Sequence, residues 1–199
     1  MQSSEYRKII EALLFASPEP LTQAKLNIVF DQDVPTLKDI VLELNDLYLA
    51  EGHAFEIKSI AGGYQLLSRP EYEHFIRRML NKSGRLTLSS AALDTLAIIA
   101  YKQPIGRYEV EAIRGVDSSG VIKTLLNRNL LKIKGRDSGP GRPLLYQTTK
   151  EFLEHFGLNR LSDMPKLKEI TELMEADPTL CEQIEAFKKI DSKSEQNIN

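Results

Sequence analysis

Two stretches of the chain share one order of hydrophobic and polar positions. Each begins with apolar residues at helical spacing, continues through a proline turn and two further helical patterns, and ends in two short segments joined by glycine. A shift of 84 residues places Pro20 and Leu21 on Pro104 and Ile105. Because a repeated pattern indicates a repeated structural unit, the sequence predicts two copies of one small unit.

The first copy predicts three helices and a hairpin. Apolar residues from Ile9 to Ala16 form a helical pattern that stops at Pro18, and Thr22 is expected to cap the second helix. The third helix opens at Thr36, and two strands then flank Ala61-Gly62-Gly63, whose glycines allow a tight turn. A broad apolar stripe on the third helix consists of Leu37, Ile40, Val41, Leu44, Leu47 and Tyr48.

The second copy follows a further helix, PEYEHFIRRMLN, and a short linker, NKSGR. That helix is expected to pack Phe75, Ile76 and Leu80 on the first unit. In the second copy Ser89 or Ser90 caps ALDTLAIIAY, Pro104 is expected to open the next helix, and Asp117 to Ser119 precede the third. Asn129 should end the third helix in a left-handed conformation.

These elements predict a mainly α-helical protein with small β-hairpin wings, an α+β fold of two tandem winged-helix (helix-turn-helix) domains. The predicted domains are residues 1–83 and 84–160. Residues 161–199 form an acidic tail, in which LKEITELMEA has the pattern of one short helix and the residues from Ser192 are expected to be disordered.

Two helices carry more apolar surface than one such unit needs. On the third helix of the first unit, Leu42 and Leu49 stand one heptad apart and away from the main stripe. In ALDTLAIIAY, apolar residues surround nearly the whole axis, which predicts burial on several sides. Burial within the same unit and burial against a second copy or a partner helix both satisfy these patterns.

Charge is distributed unevenly along the 199 residues. Residues 1–83 have a net charge of -3, residues 84–160 of +5 and residues 161–199 of -4. The third helix of the first unit presents mainly acids on its polar face, which argues against insertion into a DNA groove. The second unit is basic, and its candidates for weak phosphate contacts are Lys123, Lys132, Lys134, Arg136 and Arg142. The alternative is a solvated hairpin whose lysines protect a strand edge.

Candidate chemistry for catalysis or metal binding is sparse. His53, His74 and His155 are isolated from one another, and no HxxxH, CxxC or serine-centred catalytic spacing occurs. Cys181 is the sole cysteine, so no internal disulfide forms, as suits a reducing cytoplasm. No export signal is visible, and no apolar run approaches the ~20 residues of a membrane span. The sequence therefore predicts a non-enzyme with no cofactor, no metal and no membrane association.

Several segments together resemble one bacterial family. They are IIEALLFASPEPLT, AGGYQLLSRPEY, LAIIAYKQPI, IRGVDSSGVIKTLLNRNLL, GRDSGPGRPLLYQTTKEFLEHFGL and LSDMPKL. This set is similar to the segregation and condensation protein B (ScpB) family over residues 5 to 170. Asn129 departs from the glycine expected before the second wing.

The resemblance implies a cytoplasmic, nucleoid-associated subunit of a condensin-like complex that acts in chromosome condensation and segregation. In that family a homodimer, formed mainly through the amino-terminal domain, binds the kleisin ScpA, and ScpA bridges to the SMC ATPase. Contact with DNA is indirect or weak. The seam of Leu42 and Leu49 fits the dimer interface, and analogy places kleisin contacts at Ile98, Ile99 and Tyr101. The alternative function is a dimeric winged-helix DNA-binding transcription regulator that acts through the second domain.

Overall fold

The computed structural model describes residues 3–30, 34–80 and 88–166. Within these ranges the chain is mixed α/β, with eight α-helices and two small antiparallel sheets. Unit 1 contains residues 3–80 and 153–161 of this part of the chain, and unit 2 contains residues 88–152 and 162–166. The predicted linker, tail helix and disordered end lie outside the described residues.

Unit 1 consists of three helices, a hairpin and a further short helix. The strands β1 and β2 pair antiparallel from Phe55 opposite Ser68 to Ile60 opposite Gly63. Leu21 forms an additional antiparallel bridge to Tyr64. The elements are α1 (Ser3–Ala16), α2 (Gln23–Phe30), α3 (Leu37–Ala50), β1 (Phe55–Ile60), β2 (Gly63–Ser68), a 3-10 turn (Pro70–Tyr72) and α4 (Glu73–Leu80).

The core of unit 1 forms around α3. The predicted stripe is confirmed except at Leu47, which lies at the exposed edge of the core. Asn45 ties α3 to β1, because its side-chain amide donates to the Ile57 carbonyl at 2.9 Å and its oxygen accepts from the Ile57 N–H at 2.8 Å. The Thr22 hydroxyl accepts from the Lys25 N–H at 3.2 Å, which confirms the predicted cap.

Helix α4 differs from its prediction. Phe75 is 61% exposed, whereas Ile76 and Leu80 are half-buried. The helix packs mainly on the preceding 3-10 turn, so the core of unit 1 is complete without the Phe75 ring. The expected packing of Phe75 on the unit is therefore wrong.

Unit 2 repeats the element order of unit 1 with one more strand. Its sheet has the order β3-β5-β4, and Ile105 pairs with Tyr146 as Leu21 pairs with Tyr64 in unit 1. The elements are α5 (Ser90–Lys102), β3 (Ile105–Gly106), α6 (Arg107–Arg114), α7 (Ser119–Asn127), β4 (Leu131–Arg136), β5 (Leu144–Thr148) and α8 (Lys150–His155), of which α8 spans the division between the units.

Three of the four predicted helix boundaries of unit 2 are confirmed, including the start of α7 at Ser119 with Ser118 before it. The Ser89 hydroxyl accepts from the Ala92 N–H at 3.3 Å, and Asn129 has a φ of 57° after α7. Pro104 does not open a helix, because the two residues after it pair with β5 and α6 begins only at Arg107. That part of the prediction is wrong.

Candidate functional site

An apolar seam runs along the face of α3 that is turned away from the core of unit 1. Leu42 and Leu49 are 55% and 66% exposed and stand two helical turns apart, so they share one face. The exposed charges of Lys38 and Asp46 flank them. This α3 seam, defined by Leu42 and Leu49, is not required for the core that the opposite stripe builds.

A second apolar surface of unit 1 is a groove between α1 and the hairpin. Phe15, at the end of α1, is 81% exposed on its edge, and Tyr48 lies at its base. This unit 1 groove has a volume of about 620 Å³. The periodicity of α1 gave no reason to single out Phe15, and only folding brings it near the strand residues Phe55 and Leu66.

Tyr48 connects this groove to the core. Its hydroxyl donates to the Glu11 carboxylate at 2.8 Å, while its ring lies edge-on to Phe55 with centroids 4.8 Å apart. Burial raises the pKa of the Tyr48 phenol, and the hydrogen bond and charge of Glu11 raise it further. The phenol therefore stays neutral and donates throughout the physiological range.

The three residues proposed by analogy on α5 have different environments. Ile99 is 0% exposed in the core of unit 2, so its side chain cannot contact a partner in this fold. Ile98 and Tyr101 are half-buried, and the Tyr101 hydroxyl donates to the Pro165 carbonyl at 2.7 Å. Leu93 is exposed, so unit 2 buries α5 on several sides but leaves this side open. The assignment of Ile99 to a contact surface is therefore corrected.

Unit 2 carries a groove with an apolar floor and a basic rim. It lies between the start of α6, the helix α7 and the β4–β5 hairpin, and its volume is about 430 Å³. Its lining, all within the described residues, contains no acid. The rim of this unit 2 groove is Arg107, Lys123, Arg136 and Arg142, and apolar parts of Ile122, Leu126, Leu144 and Tyr146 contribute to its floor.

Two arginine side chains of the rim, Arg107 and Arg136, are held by local contacts. The Arg107 guanidinium lies 4.8 Å from the Tyr108 ring centroid and 3.6 Å from the Glu111 carboxylate. Arg136 donates to the carbonyl of Arg142 at 3.1 Å, which closes the loop of the hairpin. Gly141 and Arg142 both have positive φ in that loop. The rim cations are thus brought together by three separate parts of unit 2.

The turn between α6 and α7 fixes the helix side of this groove. Ser118 is fully buried, its N–H donates to Glu111 Oε1 at 3.2 Å, and its hydroxyl accepts from Arg114 Nη1 at 2.8 Å. Because Glu111 also forms an ion pair with Arg107, the turn and the rim are connected through the Glu111 carboxylate.

Folding assembles only part of the predicted phosphate-contact set. Lys123, Arg136 and Arg142 line the unit 2 groove, while Lys132 and Lys134 are exposed on β4 and do not line it. No carboxylate of the described ranges forms an ion pair with any of these five cations. Arg107 was missed, because only the tertiary structure brings the start of α6 to the hairpin.

The three histidines lie apart from one another. His53 stacks on Phe55 and contacts Glu51 at 3.1 Å, and the other two lie beside their neighbouring phenylalanines. Within residues 3–30, 34–80 and 88–166, no group of three or more His, Cys, Asp or Glu side chains is placed to hold a metal ion. None of the α-helices in these ranges combines the length and apolar character needed to cross a membrane.

These features define a class of small mixed α/β proteins built from a repeated unit of helices and a hairpin. The model of the family "Segregation and condensation complex subunit ScpB" matches residues 8–167. The chain belongs to this family, whose members are chromosome segregation and condensation subunits of SMC complexes.

Two sequence relatives agree with this assignment. The chain is 48% identical to segregation and condensation protein B of Syntrophotalea carbinolica over 90% of its length and 91% of the relative. It is also 48% identical to the protein of that name from Desulforamulus reducens, with 82% and 90% covered. The crystal structure of ScpB from Mycobacterium tuberculosis shares 30% identity over 79% of this chain and 98% of that one, with a TM-score of 0.38.

Proposed function

We propose that this protein is a non-catalytic subunit of a condensin-like SMC–kleisin complex that acts in chromosome condensation and segregation during cell division. It dimerises, binds the kleisin ScpA and reaches the SMC ATPase through that kleisin, in the cytoplasm at the nucleoid. Membership of the ScpB family carries this proposal. The exposed apolar α3 seam supports it, because such a surface is suited to a protein partner.

The proposed domain type is a winged helix in each of the predicted domains, residues 1–83 and 84–160. The order α5-β3-α6-α7-β4-β5 supports it, since a helix, a short strand, two helices and a hairpin make up such a domain. In unit 1 the bridge at Leu21 takes the place of the short strand. The α3 and α7 helices then occupy equivalent positions.

The proposed dimer interface is the α3 seam. A two-fold axis makes an interface self-complementary, so two antiparallel α3 helices can place Leu42 of one copy against Leu49 of the other. Both leucines lose their remaining exposed surface in that arrangement. The flanking charges of Lys38 and Asp46 stay at the polar rim.

For the kleisin, the proposed contacts are Ile98 and Tyr101 on α5, without Ile99. Their partial exposure leaves apolar surface that a partner helix can cover. The unit 1 groove beside Phe15 offers a second apolar surface of suitable size for side chains of a bound segment.

Co-purification with the kleisin tests this assignment. Replacing Ile98 by alanine should reduce the retained kleisin, whereas Ile28→Ala, at an exposed apolar position on α2, should not. The double change Arg136→Glu with Arg142→Glu should leave the complex intact, because these charges lie on the rim of a different surface. Loss of the kleisin on that charge reversal alone would contradict the assignment to α5.

The second candidate function is a dimeric DNA-binding transcription regulator that acts through unit 2. The basic rim together with Lys132 and Lys134 supports it. The two functions differ in salt dependence, because each phosphate contact contributes about -0.9 to the slope of log affinity against log salt. Weak duplex binding with retained kleisin supports the SMC complex subunit, and tight, steeply salt-dependent duplex binding without kleisin supports the regulator.

A further inference from the structure

The unit 2 groove has a composition that selects its ligand. Four cations surround it, and its floor is apolar where Ile122, Leu126 and Leu144 contribute. A phosphate backbone satisfies the cations but leaves the apolar floor without a matching surface. A peptide that alternates acidic and apolar side chains satisfies both parts, because its carboxylates pair with the rim while its apolar groups cover the floor.

The chain itself contains a segment of this composition. Residues 169–187, EITELMEADPTLCEQIEAF, include six acids and no lysine or arginine. Ile170, Leu173, Leu180 and Phe187 are among the apolar residues interspersed between those acids. The segment thus complements both the charge and the hydrophobicity of the unit 2 groove.

The segment is also attached close enough to reach the groove. The Tyr101 hydroxyl holds the Pro165 carbonyl at 2.7 Å, so the chain leaves unit 2 from α5. A unit of this size has a radius of gyration of about 11 Å, and an extended chain advances about 3.3 Å per residue. About ten residues can therefore cross the face of the unit, and the chain from Lys166 to Phe187 contains 22, so the second half of the segment can lie in the groove.

We propose that residues 169–187 dock in the unit 2 groove of their own chain. The docked acids neutralise Arg107, Lys123, Arg136 and Arg142 and withhold them from other anions. The segment acts as an intramolecular competitor for phosphate, so unit 2 binds duplex DNA weakly until the segment is displaced. This inference does not depend on dimerisation or on kleisin binding.

The native Cys181 provides a direct test in the full-length protein. It is the chain's one cysteine, so a nitroxide spin label attached to it reports the position of the segment without any substitution. At low ionic strength, where charge pairs are least screened, the amide resonances of Lys123 and Arg142 should lose at least about half of their intensity relative to the reduced label. The amide of Lys58, in the corresponding hairpin of unit 1, is the control and should keep its intensity.

Two further samples decide between the alternatives. In Arg136→Gln with Arg142→Gln the Lys123 resonance should recover, while the amide resonances of the buried unit 2 residues Leu96 and Leu125 stay in place and show that the substituted unit is folded. In a mixture of spin-labelled chain with isotope-labelled, unmodified chain, the groove resonances should be unaffected. Unchanged Lys123 and Arg142 intensities in the labelled chain, or attenuation in the mixture, would overturn docking within one chain.

A change in the tail gives an independent readout. Replacing Asp177 by asparagine and both Glu182 and Glu185 by glutamine in the full-length chain should raise its affinity for a short DNA duplex at least about tenfold at low salt, since the competing charge is removed. As a control, glutamine replacement of Glu5, Glu51 and Glu71 in unit 1 removes the same number of negative charges and should raise the affinity for the duplex far less. Equal affinities for the two variants would refute the competition.

Discussion

Replacing Leu42 and Leu49 together by glutamate perturbs the α3 seam without touching the core of unit 1. Full burial of a leucine side chain stabilises by about 1.5–3 kcal/mol. With 55% and 66% of these residues still exposed in one chain, each has about 1–2 kcal/mol left to gain in an interface. A two-fold dimer contains four such leucines, so their loss removes about 4–8 kcal/mol, which raises the dimer dissociation constant by three powers of ten or more.

Sedimentation equilibrium measures this effect directly. The unmodified protein should sediment as a dimer, and the double variant should move toward the monomer mass of 22.5 kDa with an unchanged far-ultraviolet circular dichroism spectrum. Ile28→Glu, which adds a charge at an exposed apolar position on α2, should remain dimeric. An unaltered mass for the double variant would refute the assignment of the seam to the dimer.

Two further predictions concern stability measured by urea unfolding. Tyr48→Phe should cost about 1–2 kcal/mol, because the hydroxyl that donates to Glu11 is lost. The pKa of Tyr48 is higher in the folded state than in the unfolded chain, so its contribution to the free energy of unfolding is complete below the ordinary pKa of about 10 and declines as the pH rises above that value. Tyr48→Phe should therefore reduce the loss of stability at alkaline pH. Gly63→Ala should cost about 1–3 kcal/mol, because its Cβ would lie 2.8 Å from the Leu21 carbonyl oxygen.

Controls separate these effects from general sensitivity to substitution. Gly120→Ala on α7 meets no atom within 4 Å and should stabilise by about 0.5–1 kcal/mol, since alanine favours a helix. Equal stability changes for Gly63→Ala and Gly120→Ala would contradict the close contact at the hairpin. If the free energy of unfolding falls equally at alkaline pH in Tyr48→Phe and in the unmodified chain, groups other than Tyr48 cause that fall.

Patterns within single helices and turns were predicted well because they depend on neighbours in the sequence. The stripe on α3 follows from helical spacing alone, and the caps at Thr22 and Ser89 need only the next three residues. The left-handed Asn129 is another such local feature. Each of these depends on bond geometry and periodicity that a short segment contains.

The predictions that were wrong concern which other part of the fold a segment packs against. Pro104 stands at a position that suits a helix start, but its neighbour Ile105 pairs with a strand 41 residues later. Phe75 belongs to an apolar helical pattern, yet the unit 1 core is filled by other residues and the Phe75 ring stays exposed. Ile98 and Ile99 are adjacent and chemically alike, and only packing buries Ile99 completely while leaving Ile98 partly accessible.

The order of residues alone indicates the repeated unit, the helices and hairpins, the exposed seam of Leu42 and Leu49, and the concentration of positive charge in the second unit. These follow from periodicity and composition, which a chain carries before it folds. Packing of the folded chain places Arg107 with Lys123, Arg136 and Arg142 around one groove and leaves Lys132 and Lys134 outside it. Side chains on a helix start, a second helix and a loop become neighbours only when packing brings their backbones together.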